Sequence, residues 1–170
     1  MTSPFELLNL PVSYSLEVSQ IDSALRSASL RWHPDRFACG TQPERDHAEE
    51  QMADFNNAHA TLINPLSRAI ALLDVFACPY DPNGKNADPE FLMEMLETKE
   101  ELERAKINND STLLNKLVFD LRQREQQELK QLAAHFAKWE AAQNQSQELP
   151  QLQRLLHQLH YLNRAIESSF

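Results

Sequence analysis

The sequence predicts an all-α chain in two parts, and three observations carry that prediction. Only two glycines, Gly40 and Gly84, occur in 170 residues, where average usage of roughly 7% would supply about twelve. Turn-rich β-sandwiches, dinucleotide-binding glycine fingerprints and P-loops are thereby nearly excluded. Apolar residues recur three and four apart through most of the chain, the period of helices buried along one side. Prolines stand at positions 4, 11, 34, 43, 65, 79, 82 and 89 and then are absent until Pro150, so short helices should give way to long ones.

Each element has its own signal. Pro4 to Leu10 makes a short helix that Pro11 stops. In the second helix Val18, Ile21, Leu25, Ala28 and Trp32 share a side, and Pro34 ends it by pushing His33 out of the α region. A loop is expected from Asp35 to Pro43. The third helix has an acid-rich start, as its dipole favours, and a stripe of Ala48, Met52, Phe55, His59 and Leu62. Asn64-Pro65 reads as an N-cap and first-turn proline opening a fourth helix with Leu66, Ala69, Ile70, Leu73 and Phe76 inward. Turn and breaker residues concentrate in CPYDPNGKNADP, Cys78 to Pro89, where the linker is placed. Beyond it three longer helices are predicted, about Asp88 to Ile107, Ser111 to Ala142 and Pro150 to Ser168, with the glutamine-rich Gln143 to Gln153 looping between the last two. The middle helix carries Leu114, Leu117, Val118, Leu121, Leu132, Phe136 and Trp139 on one face, and the last carries Leu152, Leu155, Leu156, Leu159, Leu162 and Ile166, which suits a three-helix bundle.

Composition narrows the function classes. With 42% apolar and 24% charged residues the chain should fold, and its net charge of −9 repels phosphate backbones, so no nucleic-acid partner is expected. No apolar run approaches the roughly 18 residues that span a bilayer, and the first basic residue is Arg26, so neither a membrane segment nor a secretory signal is expected and the location reads as cytoplasmic. Cys39 and Cys78 sit in no metal or redox spacing. Cys39 with His33 or His47 lacks an orienting group and an oxyanion site, and His47, His59 and His135 have no ligand partners at metal spacing. His157 and His160 read as a surface pair. No catalytic residue, metal or cofactor is expected.

The segment Leu30-Arg31-Trp32-His33-Pro34-Asp35-Arg36-Phe37 joins a helix to a loop and leaves the Asp35 carboxylate outside the helix. Alone, it is a helix end with a solvated acid. It lies, however, between two amphipathic helices, after PFELLNL and before FNNAHATLINPLSRA, and in that setting it resembles the J-domain of DnaJ co-chaperones. The resemblance implies that His33, Pro34 and Asp35 engage the ATPase domain of a DnaK-class chaperone, with Arg26, Arg31 and Arg36 supplying the basic helix face. Asp22, Ser23, Ser27 and Ser29 stand where strong J-domains are often basic, so electrostatic steering should be weak.

In the first long helix, at about 100° per residue from Phe91, the residues Phe91, Met95, Leu102 and Ala105 form a core stripe. Leu92, Leu96 and Met93 lie elsewhere, at about 100°, 140° and 200°, edged by Glu100 and Glu97. Either both neighbouring helices cover this second patch or it is a binding surface. Tyr161, about 160° from the centre of its helix's stripe, is either a lone surface ring or an interface anchor. DPEFLMEMLETKEELE, Asp88 to Glu103, joined to a J-domain in a chain this short, is similar to the HscB family of iron–sulfur cluster assembly co-chaperones. That resemblance spans nearly all 170 residues. It implies a J-domain over 1–77, a linker over 78–88 and a scaffold-binding three-helix domain over 89–170. It also implies an IscU-type scaffold held by Leu92, Met93, Leu96, Glu97, Glu100 and Tyr161 and delivered to the chaperone HscA, whose ATPase the tripeptide stimulates. Tyr161 departs from an expected Phe, and the missing CxxC pairs of some eukaryotic relatives favour a bacterial-type member. A general J-domain co-chaperone with another client and a plain helical adaptor are the competing readings.

Overall fold

The computed structural model describes residues 2–82, 88–143 and 147–169. Its helices are α1 (Pro4–Leu7), α2 (Val18–Trp32), the 3-10 turn η1 (Pro34–Phe37), α3 (Gln42–Ile63), α4 (Pro65–Val75), α5 (Pro89–Ile107), α6 (Ser111–Ala141) and α7 (Leu149–Glu167), with no strand among the described residues. The chain is all-α, as its sequence predicts. The helices group into two compact units, residues 1–79 and 80–170. Within the linker expected at 78–88, residues 83–87, Gly84 among them, lie outside the described residues, as do residues 144–146 of the glutamine-rich stretch.

In the first unit α2 and α3 form an antiparallel hairpin. His59 near the end of α3 meets Asp22 near the start of α2 at 2.8 Å, while His47 early in α3 meets Trp32 at the end of α2. The core collects Phe5 and Leu8, Ile21 and Ala28, Ala48, Ala58 and Leu62, and Ala69, Leu72 and Leu73. Asn64 alone connects α3 to α4, its Oδ1 accepting the N–H groups of Leu66 and Ser67 at 2.9 and 3.0 Å. Arg68 is buried, which no pattern in the sequence signals. It donates to the carbonyls of Tyr14 and Leu16 at 3.1 and 2.7 Å, and its guanidinium lies over the Tyr14 ring. The segment between α1 and α2 is thus fastened by a cation. Burial holds the Arg68 pKa below its ordinary value, opposed by Tyr14 and Glu17, and its Nε has no hydrogen-bond partner among the described residues.

Several expectations are corrected here. Val18 is 53% exposed, because it opens α2 beyond the reach of the hairpin, and Phe76 caps α4 and stands out instead of packing inward. The loop expected from Asp35 to Pro43 contains η1 and yields to α3 at Gln42. The first helix stops at Leu7 instead of Leu10, because Asn9 takes a left-handed φ of 52° and Leu10 N–H reaches back to the Phe5 carbonyl. Ala77 after α4 and Asn109 after α5 repeat this bonding with φ of 55° and 52°. Gln143 after α6 also holds a left-handed φ, of 55°; helix ends of this kind normally take glycine, and among the described residues none of these four does.

In the second unit the expected core stripe of α5, Phe91, Met95, Leu102 and Ala105, is buried in full. Phe91, Met95 and Leu102 pack with Leu121 of α6 and with Leu162 and Ala165 of α7, while Leu132, Phe136 and Trp139 of α6 and Leu152, Leu155, Leu156 and Leu159 of α7 are buried as well. Asp88 and Asp110 cap α5 and α6 through their side chains. Glu148, before α7, instead accepts His135 of α6 at 2.6 Å. Helix α7 begins at Leu149, one residue before the expected Pro150, so the end of the glutamine-rich stretch, up to Gln153, is helical and not part of the loop. Its buried band is also wider than the predicted stripe: His157 and Gln158 are buried, while Ile166 only leans on the core. His157 is therefore no surface histidine. Its Nδ1 lies 3.3 Å from the Tyr80 hydroxyl, burial holds its pKa below the ordinary histidine value, and burial pushes Tyr80 up to about 12.

Candidate functional site

The tripeptide sits where α2 has to stop. Pro34 cannot donate to the helix, so His33 leaves it at φ −59° and ψ 130° while its own N–H still reaches the Ser29 carbonyl. The His33 Nδ1 accepts the Asp35 N–H at 3.3 Å and lies 3.4 Å from the Asp35 carboxylate. That carboxylate is 90% exposed. The chain around it is held from below: Trp32 stacks on Phe37 with centroids 6.1 Å apart and takes the edge of His47 at 5.4 Å. Arg45 donates to the Gly40 carbonyl at 2.8 Å. The result is an anion presented on a braced turn, a geometry suited to pairing with a cation on another protein.

The neighbouring arginines differ. Arg26 and Arg31 are exposed on α2, whereas Arg36 turns back and donates to the Leu30 carbonyl in the last turn of α2. The structure thus engages Arg36 internally, in a role its place beside the tripeptide did not suggest. Asp22, an acid on α2, is matched by His59 and is spent on the hairpin.

In the second unit α5 shows two faces. Met93 and Leu96 are 66% and 59% exposed, Glu97 and Glu100 are exposed beside them, and Leu92 is half-buried against the core. Covering of this patch by both neighbouring helices is not what the unit does. Between α5 and α7 runs a groove of about 350 Å³ with Leu92, Met95, Leu96 and Tyr161 in its walls and Lys99 and Arg164 as its charged lining. Tyr161 is part exposed, and its ring meets the buried Phe91 edge-on at 6.3 Å. It is therefore neither a lone surface ring nor a core residue. Arg124 also lies over Phe91, its guanidinium 5.0 Å from the ring centroid and its Nη1 2.5 Å from Glu94. Leu92, Leu96 and Tyr161 come together at the groove; Met93, Glu97 and Glu100 do not line it. Lys99 and Arg164 were missed from sequence, although Lys99 falls beside Leu92 on the helical wheel.

Among the described residues no three His, Cys, Asp or Glu side chains gather as a metal would need, and no helix is long and apolar enough to cross a membrane. Cys39 and Cys78 are free thiols.

Compared with known proteins, the chain is 35% identical over 133 residues to the "Co-chaperone protein HscB homolog" of Paraburkholderia phymatum, an alignment covering 78% of this chain and 76% of that one. The chain belongs to the HscB co-chaperone family. The family model for the HSCB C-terminal oligomerisation domain matches residues 87–168. The Vibrio cholerae HscB homolog is 39% identical over 100 residues, 58% of each chain. The solved structure of chaperone HscB from Vibrio cholerae superposes with a TM-score of 0.79 at 28% identity, covering 98% of this chain and 94% of that one. Human co-chaperone HscB shares the fold, with a TM-score of 0.83 at 20% identity over 98% of this chain and 79% of that one. The likeness to the Vibrio cholerae structure spans both units, the tripeptide loop of the first and the α5/α7 groove of the second included.

Proposed function

We propose that this HscB-family chain is a two-handed adaptor for iron–sulfur cluster assembly in the cytoplasm. It holds an IscU-type scaffold on its second unit and delivers it to the DnaK-class chaperone HscA, whose ATPase it stimulates through His33, Pro34 and Asp35. In this reading residues 1–77 are the J-domain, 78–88 the linker and 89–170 the scaffold-binding domain. The chain itself supplies differential binding and no catalytic group, biasing the chaperone toward its hydrolysing state. Arg26 and Arg31 face the chaperone directly, and Arg36 serves by holding the loop.

The observation that carries the reading is the apolar ridge of α5. A helix whose core stripe is already filled still displays Met93 and Leu96 to water, beside a groove walled by Leu92 and Tyr161, and such an exposed cluster marks a surface meant to be covered. The experiment is a chaperone ATPase assay run beside scaffold binding. Asp35→Asn removes the charge at nearly constant shape, and its side chain touches no core, so it should abolish stimulation while scaffold affinity and Tm stay at the wild-type values. Undiminished stimulation would reject the tripeptide mechanism.

A further inference from the structure

The charges around the groove are sorted by side. Helix α5 carries six glutamates, Glu90, Glu94, Glu97, Glu100, Glu101 and Glu103, in a chain of net charge −9, yet the charged lining of the α5/α7 groove is Lys99 and Arg164. Neither cation is closely paired among the described residues. Lys99 comes no nearer than 4.0 Å to Glu103, with both side chains more than half exposed, a pairing that contributes little. Arg164 makes no ion pair among the described residues and is exposed. On the outer side of the ridge stand Glu97 and Glu100, exposed and away from the groove. An apolar slot with cations at its wall and acids across the ridge has a direction, and a partner laid across it fits better one way round than the other.

We propose that the groove receives an apolar side chain of the scaffold with a carboxylate beside it, and that Lys99 and Arg164 together read that carboxylate and fix the scaffold's orientation. This rests on the reading of the groove as the scaffold site and deepens it. Arginine suits the task, since its planar fork can take a carboxylate through two parallel bonds, while lysine adds a mobile point charge. The partner chemistry is therefore acidic on the α7 side of the ridge and basic on the side of Glu97 and Glu100.

The test titrates an IscU-type scaffold onto the full chain by calorimetry at two salt concentrations. It uses Lys99→Glu with Arg164→Glu, Lys99→Gln with Arg164→Gln, and the triple alanine change of Leu92, Met93 and Leu96 as reference. All the substituted cations are exposed, and Tm monitors the fold of each variant. Charge reversal should weaken binding by about tenfold or more and neutralisation by a smaller factor, with most of the salt dependence lost in the neutral variant. A zero-length carbodiimide cross-link should join Lys99 Nζ to an aspartate or glutamate of the scaffold. If the triple change abolishes binding while charge reversal leaves it at the wild-type affinity, this proposal falls and the scaffold site stands. If the triple change itself binds normally, the scaffold reading falls first. Self-association of the chain alone that disappears on charge reversal would assign the groove to a second copy and overturn the proposal.

Discussion

Ala77 holds φ at 55° at the end of α4, a conformation in which a β-carbon is crowded by the following carbonyl. Ala77→Gly should relieve that crowding and raise stability by about 0.5–1 kcal/mol, less whatever the freer unfolded chain takes back, read as a higher urea midpoint at unchanged m-value. Arg68 makes the opposite case. Arg68→Met keeps most of the volume but strips the Tyr14 and Leu16 carbonyls of their donor inside the protein, so a loss of roughly 2–3 kcal/mol is expected. Neither position was legible in the sequence. Glycine scarcity argues against β architecture, and the all-α fold agrees, but it gives no hint that asparagine, alanine and glutamine take over helix ends. Likewise an arginine in a helix with one apolar stripe looks like any solvated cation until its neighbours are placed. Asp35 was legible, because a proline after a helical run forces the exit whatever else packs nearby.

At the scale of the element, α5 separates two kinds of apolar residue that composition cannot tell apart. Phe91, Met95 and Leu102 are buried, while Met93 and Leu96 on the same helix are exposed. Alanine at Leu92, Met93 and Leu96 together should abolish scaffold binding and lower stability by no more than the half-buried Leu92 contributes. Phe91→Ala alone should cost about 3–5 kcal/mol, as buried aromatics do. A thermal scan of both variants checks this, and comparable losses would mean that the ridge belongs to the core. The wheel arithmetic found this division because α5 is a regular helix of 19 residues, over which a period can be counted. It did worse on α7, where the buried band takes in His157 and Gln158. A helix enclosed on more than one side shows no clean polar face, and a period of apolar residues alone underestimates what is inside.

For the whole molecule, His157 ties stability to acidity. Burial depresses its pKa from the ordinary value of 6.5, so the unfolded chain takes up its proton first. Stability is then full above about pH 6.5 and is lost as pH falls from there through the folded value. The Tm should drop as buffer is taken from pH 7 toward 5, and His157→Gln should flatten that slope; parallel slopes in the two proteins would refute the assignment. Salt separates the two activities. On the proposed mechanism, stimulation through the exposed charges of Arg26, Arg31 and Asp35 should weaken as the Debye length shrinks below about 10 Å, while scaffold binding through the proposed apolar ridge should weaken less.

The short connections have one more consequence, and it concerns time. Asn64 alone separates α3 from α4, and three residues separate α5 from α6, so neighbouring helices meet without long loops to close. Helical folds with such local contacts reach the native state in microseconds to milliseconds. Protein complexes commonly persist for milliseconds to days. A unit of this co-chaperone that is briefly pulled open while loaded should thus close again before most of its partners have had time to leave.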